Sequence, residues 1–404
     1  MCLCICENFY VHLRQLNLKD MKKTITFLAI FLIVAVVCKG QRQTGNDDLI
    51  TVNVTKKNYP KKELILQDFM DVEYIALETN DDFVNRGIVK AIGKEYIITD
   101  GAGAGDILIY DRNGKALRKI NRRGQGSEEY AYISHVVLDE GRGELFVNDW
   151  NKIKVYDLYG KFKRDINRKE GVWYADVRNY DKDNLICWYM NRRGERIPSY
   201  YITSKQDGSM TDEIKILFEQ WKETMFRRYD AEADVTYAES HPFTQNTTII
   251  HCRDQFIFAD PSSDTLYSYL PDHSLIPYFA RTPSIQSMNP EVFLLPGIFT
   301  DRYFFMGIFV KRQEESNPYY HLMYDRQAKT LFEYVVYNDD YTDKRPLVMV
   351  KKTENDEIAF CERIEAYELV ESYKKGLLKG KLKEVASTLD EEDNAVIMLV
   401  KYRK

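Results

Sequence analysis

The hydrophobic positions of this chain fall in short alternating runs, and between residues 96 and 167 the same series of runs occurs twice. Tyr96-Ile97-Ile98-Thr99-Asp100 leads through a glycine-rich turn to Ile107-Leu108-Ile109-Tyr110-Asp111, then Asn113-Gly114-Lys115, then Leu117-Arg118-Lys119-Ile120. Leu145-Phe146-Val147-Asn148-Asp149, Ile153-Lys154-Val155-Tyr156-Asp157, Tyr159-Gly160-Lys161 and Phe162-Lys163-Arg164-Asp165-Ile166 repeat it. Tyr110-Asp111 returns as Tyr156-Asp157, and Gly114-Lys115 as Gly160-Lys161, each 46 positions on. A repeat of about 40 to 50 residues holding several short strands is the pattern of a propeller blade.

Weaker copies follow. Residues 185–189 pair in pattern with 200–203, with Asp207-Gly208 as the turn; 256–260 pair with 266–269, and 303–307 with 321–325. Residues 50–54 and 72–77 alternate outside any repeat, as a strand closing a ring would, and the apolar run 395–402 is predicted to join the first strand. Such a closure leaves no open sheet edge. The expected fold is all-β, a six-bladed β-propeller of four-stranded antiparallel blades over residues 49–404. Two departures are expected: a short helix near 213–226, where apolar residues fall at helical spacing, and one or two helices over 364–389, broken near Gly376 to Gly380, before the closing strand.

The start of the chain reads differently. Met21-Lys22-Lys23 followed by the apolar run 24–37 has the form of a signal peptide, which makes 1–20 an upstream misreading of the start; the alternative is a cytoplasmic extension ahead of an anchor. The apolar run is short for a spanning helix. Val36-Val37-Cys38 resembles a lipobox, which would make Cys38 the lipidated residue; the rival exit is cleavage after Gly40. Residues 41–48 are polar, as suits a tether. The expectation is an exported protein, periplasmic or anchored in the outer membrane as a lipoprotein, touching the membrane only through its lipid, and monomeric.

Composition narrows the function classes. The net charge of −5 and the mixing of basic with acidic residues exclude a long basic face for nucleic acid. Cys187, Cys252 and Cys361, far apart and odd in number, form neither a disulfide framework nor a metal cluster and read as buried thiols.

Gly124-Gln125-Gly126-Ser127-Glu128-Glu129-Tyr130, lying between the two clear repeats, carries a resemblance. With Leu77-Glu78-Thr79, the Tyr-Asp-x-x-Gly-Lys hairpins and the ending Asp393-Asn394-Ala395-Val396, it is similar to the secreted six-bladed β-propeller family of Bacteroidetes, related in architecture to NHL-repeat propellers. The family pattern is Gly-x-Gly-Pro-Gly-Glu-Tyr; Ser127 and Glu128 depart from it. The resemblance covers about residues 65–404. It implies fold and secretion, and no settled activity.

Candidate chemistry is sparse. Gly101-Ala102-Gly103-Ala104-Gly105 precedes a strand and so lacks the helix N-terminus of a phosphate loop. Asp100, Asp149 and Asp260 end equivalent strands and could share a rim, as cation ligands or general acids and bases; the ordinary role of such residues is capping a turn. Trp150, Tyr130, Tyr132, Trp173 and Trp188 could supply an aromatic platform, and Arg122 and Arg123 could meet an acidic ligand. Among the histidines, His135, His241, His251, His273 and His321, none has zinc spacing. No nucleophile elbow occurs. No catalytic residue, metal or cofactor is expected. The function this supports is a recognition module for a glycan, a peptide or an envelope protein, with Trp150, Asp149, Asp100, Asp260, Tyr130, Arg122 and Arg123 as candidate ligand contacts. A lyase or hydrolase using rim carboxylates and histidines, and a structural partner of an outer-membrane complex, are the alternatives.

Overall fold

The computed structural model describes residues 49–404 apart from 102–104, 150–151, 169–173, 190–199, 231–234, 240–247, 253–254, 312–318, 351–354 and 404. The leader, Cys38, the tether, Trp150, Trp173 and His241 therefore lie outside the described residues. Three strands lead in: β1 (Ile50–Asn53), β2 (Lys61–Ile65) and β3 (Met70–Ala76). Blade one is β4 (Val89–Ile92), β5 (Tyr96–Asp100), β6 (Asp106–Asp111) and β7 (Ala116–Asn121); blade two is β8 (His135–Asp139), β9 (Glu144–Asp149), β10 (Lys152–Asp157) and β11 (Phe162–Ile166). Blade three is β12 (Tyr174–Asn179), β13 (Asn184–Tyr189), β14 (Tyr200–Ser204) and β15 (Met210–Ile214), followed by a hairpin, β16 (Phe226–Asp230) and β17 (Val235–Glu239). Blade four is β18 (Ile249–Cys252), β19 (Gln255–Phe258), β20 (Thr265–Tyr269) and β21 (Leu275–Thr282). Blade five is β22 (Val292–Phe299), β23 (Tyr303–Val310), β24 (Tyr319–Asp325) and β25 (Thr330–Tyr337), to which β26 (Pro346–Leu347) adds. Blade six joins β27 (Ile358–Ile364) and β28 (Val396–Tyr402) to β3.

Blades one to five each have four antiparallel strands, and the sixth shows three among the described residues. The first strand of each blade is innermost, since β8 touches both β4 and β12. First-to-second and third-to-fourth strand turns therefore share one face of the ring, and the remaining loops share the other. β28 sits between β27 and β3, with Tyr402 opposite Met70 and Val396 opposite Ala76, so the N-terminal strand closes the ring as its pattern predicts.

The 46-residue repeat has a local cause. Asp111 Oδ1 accepts the N–H groups of Asn113 and Lys115, and Asp157 Oδ1 those of Tyr159 and Lys161, so each Asp fixes its own turn. Gly114 and Gly160 follow at φ +85° and +81°, where glycine pays no steric penalty. Tyr110 and Tyr156 are fully buried just before their turns. The helices over 364–389 also form, as α1 (Ala366–Lys374) and α2 (Gly380–Ala386) inserted between β27 and β28. Gly376, at φ +69°, ends α1; its N–H reaches Tyr373 O and that of Leu377 reaches Ser372 O, a Schellman closure.

Two expectations need correcting. Residues 213–226 are not helical: 213–214 complete β15, and 215–225 are irregular. Ile214, paired with Tyr200 of β14, and Ile216 are buried while Lys215 and Leu217 are exposed, so the period of two runs on past the end of β15. The strand at 50–54 does not close the ring. β1 lies parallel on β21, and β2 parallel on β25, so the chain straps the outer edges of blades four and five before closing blade six. Lys62 of that strap reaches the buried Asp325 at 2.8 Å, and Arg302 joins them. Burial opposes the charge on Asp325, but Lys62, the Ala328 N–H and Arg302 outweigh it and hold the carboxyl at about 2.

Candidate ligand cleft between blades three and four

The outer turn of each early blade seats its glycine on the blade before. A Cβ on Gly114 would lie 2.0 Å from Ala76 O, one on Gly160 2.8 Å from Ile120 Cγ2, and one on Gly208 2.1 Å from Asn167 O. In blade four the corresponding turn is Leu270-Pro271-Asp272-His273-Ser274. Leu270 N–H bonds to Ser274 O and His273 N–H to Leu270 O, the pattern made by Asp111, Lys115 and Gly114. His273 thus stands in the glycine position, in the left-handed region at φ +64°. Non-glycine residues are uncommon there, and such a residue is a pointer to function.

At this seam the blades enclose a cleft of about 590 Å³. Its walls come from blade three (Tyr180, Asp181, Asp212) and blade four (His251, Phe256, Tyr269, His273), with Asp356 from the turn entering β27. Tyr269 donates its hydroxyl hydrogen to Asp212 Oδ2 at 2.8 Å, while His273 Nδ1 lies 2.7 Å from that hydroxyl and 3.1 Å from the carboxylate. His251 stacks on Phe256, ring centroids 4.4 Å apart, and its Nδ1 is 2.5 Å from Asp356 Oδ1. Tyr180 packs 5.4 Å from Phe256 and 6.2 Å from Tyr269. Asp181 Oδ1 accepts the N–H groups of Asp183 and Asn184 and holds its turn.

The ionisation of the walls follows from these contacts. Burial works against the charge on Asp212, but hydrogen bonds from Tyr269 and His273 outweigh it and keep the carboxyl below its ordinary range. Burial pushes the Tyr180 and Tyr269 hydroxyls up, so both stay protonated and can donate. The cleft thus presents an ionised Asp212 together with Asp181, Asp356, two imidazoles and aromatic faces. Neither lysine nor arginine is among the described residues that line it.

The residues singled out in the sequence lie on the opposite face. A smaller cavity there, about 190 Å³, brings together Asp100, Arg123 and Tyr130 with Lys90, Asp106 and Tyr132. Asp100 accepts the Ile88 N–H and pairs with Lys90 at 3.0 Å. Asp149 is buried and accepts the Ala131 N–H; Asp260 is buried and accepts the Ser262 N–H. Tyr130 is buried and donates to Gly105 O, and Arg122 Nε donates to Gly160 O. Trp188 is half-buried in blade three. No group of three or more metal-ligating side chains occurs among the described residues. The described cysteines, Cys187, Cys252 and Cys361, are buried and not joined in a disulfide. Sequence reasoning passed over Tyr180, Asp212, Phe256, Tyr269 and Asp356, and took His251 and His273 only as lone histidines. One signal was available: a turn of the repeat in which histidine replaces glycine.

Fold and seam together define a six-bladed propeller of antiparallel blades with a cleft at the seam between blades three and four. Within that class the chain belongs to the DUF4934 family, a domain of unknown function, whose model matches residues 49–401. No curated protein matches the chain. Among solved structures it is similar to an exported-protein candidate from Bacteroides fragilis, at 13% identity over 85% of this chain and 99% of that one, TM-score 0.57. It is also similar to a DUF4221 family member from Bacteroides vulgatus, at 10% identity over 84% and 99%, TM-score 0.46. At such identities the likeness is one of fold. No helix among the described residues is long and apolar enough to cross a membrane.

Proposed function

We propose that this protein is an exported, lipid-anchored recognition module of the bacterial envelope, and that its ligand binds in the cleft between blades three and four. The observation that carries the reading is the cleft lined by His273, which meets Tyr269 and Asp212 from the left-handed position that glycine takes in blades one to three and Lys329 takes in blade five. Strain of that kind persists where the surroundings hold it in place, and it gathers at ligand-binding positions. The cleft also has the size and mixed lining of a small-molecule site. Export and lipidation at Cys38 draw support from the signal-like run after Met21 and from the similarity to an exported-protein candidate.

The test is a thermal-shift screen of the protein against saccharides and short peptides, since a ligand of the native state raises its melting temperature by mass action. A concentration-dependent rise that Tyr180→Ala abolishes supports the cleft. A rise that survives Tyr180→Ala and is lost in Tyr132→Ala transfers the site to the opposite face. An enzymatic reading has one observation in its favour: His251–Asp356 and His273–Asp212 are two imidazole–carboxylate pairs open to one cavity, an arrangement suited to general-base chemistry. Turnover of a bound ligand, lost in His251→Gln with binding retained, would favour it.

A further inference from the structure

We infer that the ligand of this cleft carries an organic cation, a protonated or quaternary amine. This rests on the cleft being the binding site and adds the chemical class of what it binds. Three carboxylates, Asp181, Asp212 and Asp356, line the cavity with no lysine or arginine among the described lining residues. The cavity on the opposite face has both signs, Lys90 and Arg123 beside Asp100 and Asp106. Among the described lining residues an anionic ligand would find no lysine or arginine, only two imidazoles already set against Asp356 and Asp212.

Aromatic geometry points the same way. Tyr180, Phe256 and Tyr269 converge on the cavity, with Tyr180 within 6.2 Å of both other rings. Ring faces are negative and attract ammonium groups, most strongly where carboxylates stand nearby and water is partly excluded. Hydrogen bonds from Tyr269 and His273 keep Asp212 ionised, and burial keeps Tyr180 and Tyr269 neutral, so a carboxylate and neutral ring faces stand together in the wall. Asp356 is 56% exposed at the cavity edge, where an arriving cation meets it first. Neutral sugars satisfy the hydroxyl and carboxylate acceptors but make no use of this excess charge.

The experiment is titration calorimetry of the full chain with matched probes: glucosamine against N-acetylglucosamine, with choline and spermidine as further cations. We expect each amine to bind at least tenfold more tightly than N-acetylglucosamine and to weaken as salt rises. Asp356→Asn should cost at least fivefold in amine affinity, while Lys90→Gln on the opposite face should cost nothing; melting temperatures of both variants establish that they fold. Equal affinity for glucosamine and N-acetylglucosamine, indifferent to Asp356→Asn but abolished by Tyr180→Ala, overturns the cation and leaves the cleft. Amine binding that survives Tyr180→Ala overturns the cleft itself. Failure of all three amines to bind at millimolar concentration overturns the cation.

Discussion

At the seam between blades one and two, Gly160 lets the outer turn press against Ile120 and close the gap. At the seam between blades three and four the same turn carries His273, whose ring meets Asp212 at 3.1 Å in the wall of the cleft. The two turns share their backbone hydrogen bonds and their left-handed position but not their residues: Leu270 stands where Asp157 caps its own turn, and His273 stands where Gly160 packs against Ile120. A repeat protein keeps its ring closed by repeating a tight contact, and it can open a site where that contact is withheld; the outer turns of blades four and five both lack the glycine, with His273 and Lys329 in the left-handed position. Conserved geometry with a changed residue is thus the informative place in such a fold.

The sharpest way to break this view is to spoil a closed seam. Gly114→Ala places a methyl against Ala76 O, on the strand that closes the ring, and does so at φ +85°. The left-handed conformation and the overlap together should destabilise the protein by about 3 kcal/mol, read as a lowered midpoint in chemical denaturation. An unchanged midpoint would mean that the glycine seams are not tight and that the cleft is nothing special.

The same comparison explains what could be read in advance. The early blades were legible because local chemistry dictates them: an Asp that caps its own turn, a glycine that must be left-handed, and a tyrosine buried before both. The runs 185–189 and 200–203, and 303–307 and 321–325, were legible as strand pairs because each pair is adjacent in the chain, and both do pair. The strap was not legible, since Ile50 and Lys61 pair with partners more than two hundred residues away and parallel to them, and alternation does not specify a partner. The helix read over 213–226 failed because Ile214, Leu217, Phe218 and Trp221 fall at i, i+3, i+4 and i+7 while Ile214 and Ile216 also alternate, and the alternating pair is the one buried. The cleft was hidden for a further reason: Tyr180, His273 and Asp356 come from three blades, and motif spacing within one stretch cannot bring them together.

A second test asks whether the closed seams also depend on charge. Arg164 grips Glu144 with two 2.8 Å bonds and donates as well to Lys205 O in blade three, tying the seam between blades two and three. Burial opposes the charge on Glu144, but Arg164 and Lys163 bring its carboxyl down to about 2. Its folded value is depressed below the unfolded value of about 4.3, so the stabilisation is present above that pH and is lost as pH falls towards 2. Glu144→Gln should cost about 2 kcal/mol at neutral pH and flatten the stability profile between about pH 4.3 and 2. Parallel profiles for the variant and the parent would remove Glu144 from the seam's account.

The smallest effect on stability is expected where the effect on function is largest. Replacing His273 by glycine restores the residue of the other turns and relieves the left-handed strain, worth up to about 1 kcal/mol. Against this stands the loss of the imidazole beside Tyr269 and Asp212, a polar contact of similar size. The two offset each other, so the melting temperature of His273→Gly should stay within a few degrees of the parent. Affinity for whatever occupies the cleft should nevertheless fall at least tenfold, because the ring that lines it and orients Asp212 is gone. A residue kept for packing would give the reverse, a less stable protein with binding intact, and that outcome would make His273 one more way of building a turn.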